Sequence, residues 1–141
     1  MRIALGADHK GFPRKEELKE FLKRENHTPV DCGTFDSTSV DYPDYANAVC
    51  AKILNKEAER GILVCGTGIG MSMAANRHRG IRAALCRTAQ EAKMSREHNN
   101  SNVLCLGEAT PNSQEIVRTW LQTDFSGEER HARRLAKLDL V

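Results

Sequence analysis

The 141 residues, 40% hydrophobic and 28% charged, have the size and composition of a folded soluble domain and exclude a disordered chain. A net charge of +2, with seven aromatic residues that never alternate with basic ones, gives no nucleic-acid surface. No stretch approaches the ~18 apolar residues a membrane span needs, and Met1–Gly6 is too short an apolar run for a signal peptide, so the expected address is cytoplasmic.

In chain order, Arg2–Ala7 reads as a buried strand and Phe12–Glu25 as a helix with Leu18, Phe21 and Leu22 on one face. The opposite face, dense in Lys, Arg and Glu, reads as solvated. Thr28–Cys32 is a second strand, and Tyr45–Lys56 a helix with Ala46, Val49, Cys50 and Ile53 inward. Ile62–Cys65 is a third strand, followed by a helix over Gly70–Asn76. Ile81–Leu85, Ala89–Glu97, Val103–Leu106 and Gln114–Gln122 continue the alternation of strand and helix, and a basic helix covers about 128–138. Such alternation predicts one α/β domain over 1–141, a three-layer α/β/α sandwich around a five-stranded parallel sheet of Rossmann-like type.

Parallel sheets of this kind bind ligands beyond the carboxyl ends of their strands. There the chain carries Asp8-His9 after the first strand, Cys65-Gly66-Thr67-Gly68-Ile69-Gly70 after the third, and Gly107-Glu108 after the fifth. The glycines allow a sharp turn whose amides and helix start favour negative charge on a ligand or on the sulfur itself. This is not a dinucleotide loop. The spacing is not Gly-x-Gly-x-x-Gly, and the region about 20 residues onward, Leu85-Cys86-Arg87-Thr88, offers no acid for a ribose. No Gly-Lys-Ser/Thr follows it as in a Walker loop. Two other readings of the turn stay open: a non-catalytic phosphate- or nucleotide-binding module, and a redox-sensing thiol that would need a resolving cysteine.

Five cysteines at wide, irregular spacing give no zinc pattern, and Cys32, Cys50, Cys86 and Cys105 read as small buried hydrophobes. His27 and His78 read as surface histidines. His98-Asn99 precedes the fifth strand after a helix, so local order does not bring it to the carboxyl rim of its own sheet; a neighbouring subunit's rim is within its reach. Arg130 and Arg134, four apart on one side of a helix, suit a phosphate.

Together these segments resemble the type B ribose-5-phosphate isomerases and their galactose- and allose-6-phosphate isomerase relatives. The matching motifs are Gly6-Ala7-Asp8-His9-Lys10-Gly11, Asp41-Tyr42-Pro43-Asp44-Tyr45-Ala46, the run Gly61–Gly70, Ala74-Ala75-Asn76, Gly80-Ile81-Arg82-Ala83, the run Ser95–Leu104, and Arg130-His131 with Arg134. The resemblance implies interconversion of ribose 5-phosphate and ribulose 5-phosphate through an enediolate, with a six-carbon sugar phosphate as the alternative substrate. It implies Cys65 as general base, an oxyanion hole of the amides from Gly66 to Gly70 (including those of Gly68 and Ile69), and a contribution from the Thr67 hydroxyl. His98 would protonate the ring oxygen, Asp8 and His9 would hold sugar hydroxyls or assist ring opening, and Asn99 would contact substrate. Arg130 and Arg134 would bind phosphate. Tyr42 either walls the pocket or packs in a loop. No metal or other cofactor is expected, and a homodimer or homotetramer would share its sites between subunits. One departure stands out: many members have an arginine just after the fifth strand, where this chain has Gly107-Glu108-Ala109.

Overall fold

The computed structural model describes residues 1–141. Five strands, β1 (Arg2–Ala7), β2 (Thr28–Asp31), β3 (Arg60–Cys65), β4 (Ala83–Leu85) and β5 (Val103–Gly107), form one sheet in the order β2-β1-β3-β5-β4. Every pairing is parallel. Six helices accompany them: α1 (Phe12–Arg24), α2 (Tyr42–Leu54), α3 (Ile69–Ala75), α4 (Ala89–Glu97), α5 (Ser113–Gln122) and α6 (Glu129–Leu138). The expected three-layer arrangement is present.

The apolar runs in the strands follow from burial on both faces, because successive side chains point to opposite sides of the sheet. Ile3, Leu5, Ile62 and Leu104 face a core closed by Leu18, Phe21 and Leu22 of α1 and by Ile116, Val117 and Trp120 of α5. Ala4, Leu63, Val103 and Cys105 face a second core closed by Ala46, Val49 and Cys50 of α2 and by Met71 and Ala75 of α3. Each large side chain so buried stabilises the fold by about 1.5–3 kcal/mol before the cost of ordering it. The two cores clamp the sheet rigidly, and the loops at its ends inherit that rigidity.

Most element boundaries differ from the sequence reading by one to three residues, two of them for a clear local reason. α2 begins at Tyr42, not Tyr45, because Pro43 is tolerated in the first helical turn, where its missing N–H costs nothing. β4 begins at Ala83, not Ile81: the Ile81 amide closes a turn on the His78 carbonyl, and the Arg82 amide donates to the Asn102 side chain. β2 stops at Asp31, one residue short of Cys32.

The charged face of α1 is not wholly solvated either. Lys15 is fully buried, its Nζ 2.7 Å from Asp31 Oδ1 and 2.9 Å from Glu16 Oε1, because the end of β2 folds over it and supplies the partner. A buried ammonium is tolerable only when paired in this way. His27 and His78 are half-buried rather than on the surface; His78 Nε2 bonds the Asn47 side chain at 2.8 Å.

Candidate active site

The three central strands, β1, β3 and β5, end side by side, with Ala7 in register with Val64 and Cys65 with Gly107. Asp8-His9, Cys65-Gly66-Thr67 and Gly107-Glu108 therefore share one rim. The Glu108 amide donates to the Cys65 carbonyl at 2.8 Å, and the Asp8 amide to the Val64 carbonyl at 3.3 Å, which stitches the three loops together.

The turn after β3 is held in one conformation. Gly68 has φ +81°, a left-handed geometry that L side chains rarely adopt, and a Cβ there would come within 2.6 Å of Leu85 and 2.9 Å of the Leu106 backbone. That geometry points the Gly68 amide at Cys65 Sγ, 3.2 Å away. A donor on the sulfur supports negative charge there. Cys65 is 5% exposed. Thr67 Oγ1 accepts from the Ile69 amide at 3.2 Å. Of the amides from Gly66 to Gly70, those of Gly68 and Ile69 are already engaged, while those of Gly66, Thr67 and Gly70 make no hydrogen bond within the chain.

Asp8 is buried, and its Oδ1 accepts from the amides of Lys10 and Gly11 at 3.0 and 2.9 Å, so one oxygen shapes the loop. His9 Nδ1 accepts from the Val40 amide at 3.2 Å. That bond assigns the ring proton of a neutral imidazole to Nε2, leaving a donor free. Tyr42 lies against Gly70, where a Cβ would meet its ring at 2.7 Å, and the side chain is 39% exposed. Between the two readings left open for it, this packing favours a wall beside the turn.

His98 and Asn99 are elsewhere. α4 runs back from the carboxyl end of β4, and the carbonyl of Asn102, just before β5, accepts from Gly61 near the start of β3. His98-Asn99 thus lies toward the amino ends of the strands, separated from Cys65 by roughly the length of β3, about 15–20 Å. Buried Arg96 anchors this corner: its guanidinium donates to the Thr123 and Ser101 carbonyls and to Asn100 Oδ1. Burial pushes the Arg96 guanidinium down to about 10. The His98 ring stacks on His131 of α6, centroids 4.5 Å apart at 14°.

α6 docks through His131 and Leu135, both buried, and so presents Arg130 and Arg134 to solvent on the same side of the molecule as His98. Arg130 pairs with Glu128, while Arg134 has no partner within the chain. His131 Nε2 is buried without a hydrogen-bond partner, and burial, followed by the Arg130 charge, lowers its proton affinity.

One chain therefore brings together Asp8, His9, Tyr42, Cys65, Gly66, Thr67, Gly68, Ile69 and Gly70, and separately His98, Asn99, Arg130 and Arg134. Two clefts border the second group and do not include Cys65: one is lined by Asn99, Arg79 and Asp139, the other by His98, Gln122 and Glu128. Sequence reasoning missed Arg96, which reaches across to the Thr123 carbonyl, and the stacking role of His131, whose partner His98 is distant in the chain. It also passed over Lys10, whose aliphatic chain lies over Gly66. No group of three or more His, Cys, Asp or Glu side chains converges as a metal site would require. Burial pushes the Cys50 and Cys86 thiols up to about 11 and Cys105 well above the usual range, in keeping with packing roles.

Comparison with known proteins bears on this divided geometry. Residues 3–138 match the ribose/galactose isomerase family. The chain belongs to that family. It is 38% identical to ribose-5-phosphate isomerase B of Escherichia coli over 99% of this chain and 95% of that one. Among solved structures, ribose-5-phosphate isomerase B of Clostridium thermocellum superposes with a TM-score of 0.96 at 45% identity, covering 99% of this chain and 96% of that one. The ribose 5-phosphate isomerase of Thermotoga maritima gives 0.95 at 48% identity, covering 99% and 98%. Membership places the protein among the sugar-phosphate isomerases. The structure has no helix long and apolar enough to cross a membrane.

Proposed function

We propose that the protein interconverts ribose 5-phosphate and ribulose 5-phosphate through an enediolate, with Cys65 as the base. The observation that carries this reading is the Gly68 amide donating to Cys65 Sγ at 3.2 Å, beside three amides left without acceptors. A base must act where charge on the substrate oxygen can be met by fixed donors, and both are built into one rigid turn.

In the forward direction His98 hands a proton to the ring oxygen as its bond to C1 breaks, the Asp8 carboxylate takes the O1 hydroxyl proton as the C1 carbonyl forms, and the Nε2–H of His9 steadies the sugar hydroxyls. Cys65 thiolate takes the C2 proton; the C–H electron pair becomes the C1–C2 double bond and the carbonyl pair moves onto O1. The amides of Gly66, Thr67 and Gly70 meet that oxygen. The thiol returns the proton to C1 while the O2 hydroxyl proton passes to O1, which yields the ketose. Arg130 and Arg134 hold the phosphate, with Asn99 beside them.

These two sets of residues lie at opposite ends of one sheet, so a working site requires the amino-end set from a second copy. A homodimer with two such shared sites is the smallest assembly that satisfies the chemistry, and a homotetramer of two dimers satisfies it equally. Ile69 and Met73, one turn apart on α3 and 44% and 65% exposed, supply apolar surface beside the turn for that contact.

Solvent-deuterium incorporation at C2 of ribose 5-phosphate tests the reading: it requires Cys65 and disappears in Cys65→Ala. Full exchange in that variant removes the assigned base. A second substrate is favoured by one observation. Ala109 is small and exposed where an arginine is common in the family, so the rim has room for a six-carbon sugar phosphate. Relative kcat/KM for five- and six-carbon phosphates decides between them.

A further inference from the structure

We propose that Lys10 is a further catalytic residue of this site, its ammonium meeting the enediolate oxygens at the mouth of the Cys65–Gly70 turn. The proposal rests on the isomerase reading above. Its basis is the placement of the Lys10 backbone and side chain.

The Lys10 amide is held by Asp8 Oδ1 at 3.0 Å, and the next amide, of Gly11, by the same oxygen at 2.9 Å. Gly11 is pressed so closely on β3 that a Cβ would lie 2.3 Å from the Val64 carbonyl oxygen. The Lys10 backbone, in the loop between β1 and α1, is therefore held against the carboxyl end of β3 through its neighbour Gly11. The Lys10 side chain passes over Gly66: a Cβ built there lies 3.3 Å from Lys10 Cδ and 4.0 Å from Nζ. Glycine at 66 leaves that path open.

The ammonium is uncommitted. Lys10 Nζ makes no hydrogen bond or ion pair within the chain, and the side chain is exposed. Arg14, a cation close by, is occupied: Nε and Nη2 donate to the Glu108 carbonyl and Nη1 to Ser113 Oγ. Beside Cys65, His9 and Tyr42, the rim carries two carboxylates, buried Asp8 and exposed Glu108. An anionic intermediate formed over Gly66 and Thr67 thus meets two free amides and one free cation, and without Lys10 the net formal charge around it would be negative.

The position also selects which end of the substrate is met. Lys10 borders the thiol, where C1 and C2 react, whereas the phosphate is carried at the far end of the sugar. Lys10 exchanges no proton in this scheme; it opposes the charge that develops on O1 and O2 while the proton moves to Sγ and back. Interactions made only as charge develops lower kcat when removed and leave substrate binding nearly unchanged.

The experiment compares wild type, Lys10→Gln and Lys10→Arg for isomerisation, inhibition by inorganic phosphate, and calorimetric binding of a sugar-phosphate hydroxamate that mimics the enediolate. Lys10→Gln is expected to lower kcat by about 10²-fold and weaken the hydroxamate in parallel. KM and phosphate inhibition should stay within about twofold, with Lys10→Arg recovering part of the loss. An active wild type beside a Lys10→Gln variant of unchanged kcat overturns the assignment to Lys10 alone. So does a loss confined to KM and phosphate inhibition, which would move Lys10 to the phosphate end. A wild type inactive on five- and six-carbon phosphates overturns the isomerase reading, and Lys10 with it.

Discussion

The two ends of the sheet offer different chemical groups on different supports. At the carboxyl ends of β1, β3 and β5 the candidate groups are a thiol, backbone amides, the Asp8 carboxylate, the His9 imidazole and the Lys10 ammonium, held by loops only a few residues long. At the opposite end they are an imidazole and two guanidinium groups on longer side chains, carried by the end of α4 and by α6. In the first set the thiol and the amides are positioned by the turn itself, with Lys10 the one long flexible side chain beside them. The second supplies mobile formal charge, suited to holding a phosphate in several protonation states. Reaction at one end of a sugar and recognition of phosphate at the other call for both kinds. Because one fold places them back to front, pairing two copies is the direct way to join them.

Breaking the carboxyl-end set should have the largest effect. Cys65→Ala is expected to reduce C2 exchange by about 10⁴-fold, the upper range for a positioned base, with the circular dichroism spectrum unchanged. Gly68→Ala should be costly in a second way: the left-handed φ and the approach to the Leu106 backbone predict a loss of about 2–3 kcal/mol in urea unfolding, together with loss of the amide on Sγ.

Breaking the opposite set should be milder and of another kind. Arg134→Gln is expected to raise KM for ribose 5-phosphate by about tenfold, with a smaller change in kcat, since one charge-assisted hydrogen bond contributes about 1.5–3 kcal/mol. The smallest effect is a pH dependence. Burial, and after it Arg130, holds His131 below its ordinary value of 6.5 in the folded chain. A neutral buried histidine stabilises the docking of α6 above about pH 6.5, and that contribution is lost as pH falls and the unfolded or undocked form takes up the proton. Amide exchange at Leu135 should accelerate on acidification, and less so in His131→Gln.

The same contrast explains what was legible in the sequence. Period and apolar runs gave the five strands and six helices, since the central strands β1, β3 and β5 are buried on both faces and the helices on one. The Cys65–Gly70 turn was legible because its constraint is local: a positive φ at Gly68 and a thiol three residues earlier are written in six consecutive letters. Lys15 was not, because its burial depends on Asp31 at the end of another strand. Nor was the His98–His131 stack, which joins residues 33 positions apart through a helix whose docking no local pattern specifies. Tyr42 was half legible: the motif marked it, but its close approach to Gly70 joins residues 28 positions apart.

The central claim is that each working site draws Cys65 from one copy and His98 with the arginines from another. Mixing two inactive variants, Cys65→Ala and His98→Asn/Arg134→Gln, tests it after unfolding and refolding them together. Random pairing restores one intact site in half of the dimers, so the mixture should recover roughly a quarter of wild-type activity. A refolded mixture, with mixed dimers present, no more active than the sum of its two components would contradict the account.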